Sequence, residues 1–382
     1  MRRGVTNERR ALLCCVSHVT YDQRVLRMGL LLQKLGYHPE FYGRDAGDGF
    51  IPEPFQKNQF RLVHHFFNRE VWFYAEFNIR LFFKLWWGPR YDVVVSNDLD
   101  TLPACFVVSK LRGFRLIFDS HELFSEAAEL ADNCLARRVW RWLEALLIPR
   151  VPLGITVSHG IAREYQHRYG KSFLVLRNVP PFIHVQNLPP PPFTFEPGYR
   201  YLILQGTGIN RERGAEEAVR ALHHLPERFR LILAGGGDMW HYLKNLVIEE
   251  GLHSRVRFVE RLPYSELMAL TTRCFAGFSL DKPTCLNYRL SLPNKIFDYI
   301  QARIPVVVSA IDEPAALVRY YQVGVVVEKV TPELVARGVL QLEILWMQRE
   351  SELKERLERA ASILNREKEE ENIQSAINAY LQ

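Results

Sequence analysis

Short β-branched runs alternate with longer amphipathic stretches along the whole chain, and the alternation is interrupted once, by a proline-rich stretch at 179–198. Before the break, ALLCCVSHV (11–19), YDVVVSND (91–98), FRLIFDSHE (114–122), LGITVSHG (153–160) and SFLVLRN (172–178) read as strands, with an extended HPEFYGR segment among them. After it, YRYLILQGTG (199–208), FRLILAGGG (229–237), RVRFVER (255–261), CFAGFSL (274–280), IPVVVSA (304–310) and VGVVVE (323–328) read the same way. The apolar spacing over 23–35 predicts a helix closed by Gly36. Residues 334–382 read as helical throughout, with a charged and solvated face at 349–371. Strand–helix alternation of this kind builds parallel sheets covered by helices on both faces. The chain is therefore expected to be α/β, with two doubly wound Rossmann-like domains facing a cleft. The expected divisions are an N-terminal domain over 1–180, a stiff linker over 181–198, a second domain over 199–365 and a last helix over 366–382.

The chain has 382 residues, 48% of them apolar and 24% charged, which excludes a disordered or collagen-like chain and a small disulfide scaffold. A formal net charge of +6 suits contact with phosphates or anionic lipid but is mild for a nucleic-acid binder, and none is expected as a partner. Six cysteines show neither CxxC nor zinc spacing and read as reduced core thiols. The N-terminal stretch lacks the apolar run of a signal peptide, and no run approaches the ~20 apolar residues of a membrane span. The expected location is cytoplasmic.

Ligands of doubly wound folds bind at the carboxyl ends of the strands, so the polar residues there are the candidates. In GTGINRERG (206–214), Gly206 and Gly208 admit a phosphate to the backbone, and Arg211 and Arg213 bring charge suited to a diphosphate. The spacing matches neither the dinucleotide fingerprint nor a P-loop, which disfavours an NAD enzyme or an NTPase. A plain tight turn with solvated arginines is the competing reading. LAGGGD (233–238), with Gly235 and Gly237, is a second glycine-rich strand end. In LSLPNKIFDYIQ, Pro293 starts a helix that places Asn294, Lys295 and Asp298 on one face, either to grip phosphate and sugar hydroxyls or as a surface pair.

Three strand ends of the first half are candidates too. His121 and Glu122 close FRLIFDSHE. Asn97, Asp98 and Asp100 close the strand at 91–98 and suit sugar hydroxyls, with capping by Asp100 or Thr101 as the alternative. Arg24 follows the first strand and is placed to reach the cleft, beside Thr20 or Asp22 as caps. The stretch 61–90 interleaves aromatics (Phe66, Phe67, Trp72, Trp86, Trp87) with cations (Arg61, Arg69, Arg80, Lys84, Arg90), and 137–150 is similar. Such helices either pack on a sheet or lie against anionic lipid, and both can hold at once.

The combination of SNDLDTLPA, FDSHELF, the arginine–glycine loop, the glycine strand end and LPNKIFDYIQARIPVVVS, in that order, resembles the GT-B-fold glycosyltransferases of family 4, the retaining group 1 type. The likeness spans nearly the whole chain. It implies C-terminal helices that cross back to the first domain. It also implies transfer of a sugar from a nucleotide diphosphate sugar, UDP-linked rather than GDP-linked, without a cofactor or metal. The acceptor would be a glycan or lipid-linked glycan of cell-surface polysaccharide synthesis, reached at the inner face of the plasma membrane. By the same resemblance His121 lines the acceptor side near the anomeric carbon, Arg213 grips the diphosphate, Lys295 makes a second phosphate or sugar contact, and Asp298 holds the donor ribose. Gly235 and Gly237 form the turn beside the nucleotide, and Leu262 and Pro263 the base-side loop. The sequence departs from the family pattern at Leu290, where the first signature acid would stand, at Asp298 in place of Glu, and in VERLP, where Gly is commoner. A nucleotide-sugar 2-epimerase of the same fold and a non-catalytic membrane-recruiting paralogue are the alternatives.

Overall fold

The computed structural model describes residues 9–67, 70–127, 130 and 133–382. Arg69 and the basic residues before position 9 lie outside the described residues. The chain divides into two compact units, one of residues 1–177 with 370–382 and one of residues 178–369.

The first unit is built on β1 (Arg9–His18), β2 (Tyr37–Arg44), β3 (Phe60–Val63), β4 (Val93–Asn97), β5 (Arg115–Ser120), β6 (Leu153–Thr156) and β7 (Leu174–Val175). They form one sheet in the order β3-β2-β1-β4-β5-β6-β7, parallel throughout. Ala11, Leu13, Val93, Val95, Ile117 and Ile155 share a buried face, as alternate residues of neighbouring parallel strands must. The helix Gln23–Lys34 covers that face and opens at Asp22, whose carboxylate accepts from the Val25 N–H at 3.2 Å. The last helix, Arg366–Leu381, adds Ile373, Ile377 and Leu381 to the same core. Tyr380 Oη donates to the Leu116 carbonyl at 3.1 Å. The chain order reverses between β1 and β4, which makes the carboxyl ends of these strands the natural ligand position.

The second unit repeats the plan with β8 (Arg200–Gly206), β9 (Phe229–Gly235), β10 (Val256–Val259), β11 (Ala276–Ser279), β12 (Val306–Ser309) and β13 (Gly324–Val327). The order is β10-β9-β8-β11-β12-β13, again parallel, and the reversal falls between β8 and β11.

Four points of the structure refine or correct the sequence reading. The proline-rich stretch is not a free spacer. Val179 and Ile183 are buried in the core of the second unit, and the Arg257 guanidinium lies 3.8 Å over the Phe193 ring, because the apolar residues among the prolines need cover. The C-terminal region is two helices, Pro332–Ile363 and Arg366–Leu381. Pro332–Ile363 ends before Asn365, whose amide binds the Ala361 and Ser362 carbonyls while its oxygen caps the Lys368 N–H. Strand β3 follows a segment that gave no strand signal, and it exists through its ladder with β2. Cys134 is exposed and is not a core thiol.

Candidate functional site

At the carboxyl end of the first sheet, register sets the geometry. Asn97 pairs with Asp119 across β4 and β5, and the next residues turn out of the sheet together. Asp98 takes a left-handed backbone (φ 59°) and donates its N–H to the Asp119 carbonyl at 2.9 Å. Its carboxylate then accepts from the His121 N–H at 2.7 Å and lies 3.2 Å from His121 Nδ1. His121 Nε2 sits 3.3 Å from Asn97 Oδ1 and 3.6 Å from an Asp119 oxygen. Burial works against charge on this imidazole, but Asp98 and Asp119 outweigh it and push its pKa up to about 9. The ring is therefore an imidazolium at neutral pH, held from several sides and still 20% exposed.

Arg24 does not point to solvent. Its guanidinium forms a two-pronged pair with Asp119, at 3.0 and 2.6 Å, and donates a third bond to the Leu176 carbonyl at 2.8 Å. Burial alone would raise the Asp119 carboxyl; Arg24 and His121 hold it at about 2. Arg24 therefore fixes the carboxylate behind His121. Asp100 is buried too, and its Oδ1 has no hydrogen-bond partner among the described residues. Burial, reinforced by Asp98, raises its pKa well above the usual carboxylate range. Thr101 precedes the helix Leu102–Arg112, but its hydroxyl turns back to the Asn97 carbonyl at 3.0 Å. Glu122 is half-buried beside them.

In the second unit, glycines let two strand-end loops interlock. Gly235 has φ 128°, and a Cβ there would stand 1.9 Å from the Gly206 carbonyl; a Cβ on Gly237 would stand 2.5 Å from the Ile209 backbone. Ile209 N–H donates to the Gly236 carbonyl at 2.7 Å, and Gly236 N–H to that of Gly206 at 3.2 Å. Gly206 and Gly208 are different, because a Cβ on either meets nothing closer than 3.5 Å. Their surfaces are open to a ligand. Gly214 was not singled out from the sequence, yet a Cβ there would strike the Leu280 carbonyl at 2.4 Å. The close approach seats the arginine loop on the end of β11.

Two cations meet on that end. Arg213 Nη1 donates to Asp281 Oδ1 at 3.0 Å, and Lys295 Nζ lies 3.8 Å from the same oxygen. Arg213 also lies over the Tyr288 ring, 4.4 Å from its centroid. Asp281 and Tyr288 were missed in the sequence; the available signal was a carboxylate two residues past a strand end. Asp298 faces another way, accepting from Tyr264 Oη at 2.8 Å and Gln205 Nε2 at 3.2 Å. Asn294 is exposed at the start of the helix Asn294–Gln301. Arg211 is exposed in its loop, Pro263 precedes the helix Tyr264–Thr271, and Leu262 packs against the core. Leu290 ends the short helix that carries Tyr288.

The aromatic helices divide their faces. In Glu70–Trp87, Phe77, Leu81 and Leu85 are buried, while Trp72, Phe83, Trp86 and Trp87 are exposed, Trp87 by 72%. In Cys134–Leu147, Trp140 and Leu147 face inward and Leu135, Val139 and Trp142 outward. Of the cations beside them, Arg137 and Arg141 are paired with Glu126 and Arg138 is exposed. Among the described residues, no helix is long and apolar enough to cross a membrane.

Comparison with known proteins bears on both halves. Residues 20–192 match the family model described as a glycosyl transferase 4-like domain, and residues 194–362 match that described as glycosyl transferases group 1. No curated protein sequence matches. Among solved structures, the chain is similar to sucrose-phosphate synthase from Thermosynechococcus elongatus, with a TM-score of 0.76 at 16% identity over 97% of this chain and 98% of that one. It is similar to Anabaena HepE in complex with UDP and glucose, with a TM-score of 0.71 at 14% identity over 97% of this chain and 100% of that one. It is also similar to WaaG, a glycosyltransferase involved in lipopolysaccharide biosynthesis, with a TM-score of 0.66 at 16% identity over 96% of this chain and 99% of that one.

Proposed function

Because the chain belongs to the group 1 glycosyltransferases of the GT-B fold, we propose that it moves a sugar from a nucleotide diphosphate sugar to a hydroxyl acceptor with retention at the anomeric carbon. The observation that carries this reading is the pair of cations, Arg213 and Lys295, held on Asp281 past β11, the strand next to β8 whose carboxyl end carries the open glycines Gly206 and Gly208. The leaving group is a diphosphate on which charge grows as the glycosidic bond breaks. Fixed positive groups aimed at that charge stabilise the transition state more than the ground state. The same cations do the work that a metal does elsewhere, so the reaction proceeds without one.

UDP is the preferred carrier, in keeping with the nucleotide in the HepE structures. Asp298 meets the donor ribose and the loop of Leu262 and Pro263 the base. Gly235 and Gly237 shape the floor under the nucleotide, and Arg211 and Asn294 lie at its rim. On the acceptor side His121 stands near the anomeric carbon as an imidazolium, with Asn97, Asp98, Asp100 and Glu122 around the sugar hydroxyls. Attack occurs on the face the leaving group vacates. The acceptor proton passes to a phosphate oxygen, so no protein nucleophile is needed.

The acceptor is a glycan or lipid-linked glycan of surface polysaccharide synthesis, and the exposed aromatic faces of 61–90 and 137–150 rest on anionic lipid at the cytoplasmic side of the membrane. A thermal-shift screen of nucleoside diphosphates and their sugars tests the donor half. One diphosphate family, UDP first, raises the melting temperature by mass action. A chain that no nucleoside diphosphate stabilises is not this enzyme.

A further inference from the structure

The buried carboxylate between the two cations has no assigned part in sugar transfer. Asp281 is 1% exposed, whereas the Arg213 and Lys295 side chains are 27% and 14% exposed. The acid is thus the back wall of the cluster and the cations its front. Its Oδ1 faces both cations, and its Oδ2 has no hydrogen-bond partner among the described residues. Its backbone is tied down, because Ser309 Oγ donates to the Asp281 carbonyl at 2.6 Å. A carboxylate this deep is costly unless it is paired, and two cations this close repel unless a charge lies between them. Each group makes the others tolerable.

We propose that Asp281 is a positioning residue for the diphosphate: its carboxylate holds the Arg213 guanidinium and the Lys295 ammonium side by side, so that the donor meets a preformed pair of cations. The proposal rests on the nucleotide-sugar reading above and adds the device that makes its phosphate site work. The charged and titratable groups around Lys295 come from several elements. Asp281 follows β11, Arg213 comes from the loop after β8, Tyr288 lies beneath Arg213, and Asp298 and Tyr299 share the helix of Lys295. Burial lowers the Lys295 pKa, Asp281 opposes that and Arg213 adds to it. Removing the Asp281 charge therefore pushes the Lys295 pKa further down, and removing the Arg213 charge pushes it up.

The test is calorimetric binding of UDP, GDP and ADP to the full chain between pH 6 and pH 9.5, for the wild type and two variants. Asp281→Asn keeps the shape and removes the charge. It is expected to move the alkaline loss of binding to lower pH, so that affinity falls about tenfold on the alkaline side and stays within about threefold at pH 6. Arg213→Gln removes the repelling cation and moves the alkaline loss upward, although binding is weaker at every pH. The opposite directions separate this cluster from general damage, which lowers binding equally across the range. If Asp281→Asn fails to fold, the Arg213→Gln shift alone decides. Wild-type binding with an alkaline limb that neither variant moves overturns the role of Asp281 and leaves the enzyme reading intact. A wild type that binds none of the three diphosphates overturns both.

Discussion

His121 Nδ1 lies 3.2 Å from Asp98 Oδ2, and the His121 backbone N–H donates to the other oxygen of the same carboxylate at 2.7 Å. One aspartate thus fixes the ring and its main chain together. With the imidazole pKa raised to about 9 from an unfolded value near 6.5, the pair contributes stability in full below about pH 6.5 and loses it as pH rises through 9. The His121 shift, to which Asp119 also contributes, is worth on the order of 3 kcal/mol, and the burial that raises the Asp98 carboxyl pKa offsets part of it. Urea unfolding at pH 6, 7.5 and 9 should show it, and Asp98→Asn, which suits the left-handed backbone, should shrink the loss across that window. An unfolding free energy that stays flat from pH 6 to 9 in the wild type contradicts the assignment.

Arg24 and Asp119 are both buried and joined by two hydrogen bonds. Arg24→Met leaves a buried carboxylate short of its main partner, and a loss of about 3–5 kcal/mol is expected. Transfer activity should fall as well, since the carboxylate behind His121 is no longer held. Chemical denaturation measures the first effect; a loss under 1 kcal/mol would show that the pair is not what anchors this strand end.

Gly206 and Gly235 face each other across β8 and β9, yet they should respond oppositely to alanine. Gly235→Ala puts a Cβ into the Gly206 carbonyl on a left-handed backbone and should cost about 1–3 kcal/mol or more. Gly206→Ala has room and should melt like the wild type, while weakening nucleoside diphosphate binding by covering the open surface. Differential scanning fluorimetry with and without UDP reads both. Equal melting temperatures for the two variants would contradict the interlocked loops.

Trp72, Trp86 and Trp87 expose large aromatic surface on one side of a helix whose other side is core. Co-sedimentation with vesicles rich in phosphatidylglycerol is expected. It should weaken with salt and with Trp86→Ala and Trp87→Ala together, and it should be slight with neutral phosphatidylcholine. Equal binding to both vesicle types, or none, removes the lipid surface from the account.

Much of this architecture is legible in the residues alone, for a reason specific to parallel sheets. Strands such as VVVSN (93–97) and VVVS (306–309) are buried on both faces, so they stand out as apolar runs, and the polar residue after each marks the ligand end. His121 is singled out that way, Arg213 by the glycine-rich loop after such a strand, and Lys295 by its place on a helix face after Pro293. Strand β3 was not legible, because FRLV carries no such run and depends on its neighbour. Nor was Asp281, since nothing local says that an acid past β11 will meet an arginine 68 residues earlier. Arg24 shows the limit in another form: its place after the first strand suggests a cation reaching the cleft, and only the packing shows it buried against Asp119.

The most direct measurement is the transfer rate of the Arg213→Gln, Lys295→Gln double variant with the donor identified by ligand-induced stabilisation. The account predicts a fall in kcat of at least about a hundredfold, with a melting temperature close to that of the wild type. Turnover that persists at the wild-type rate in the folded double variant would contradict it.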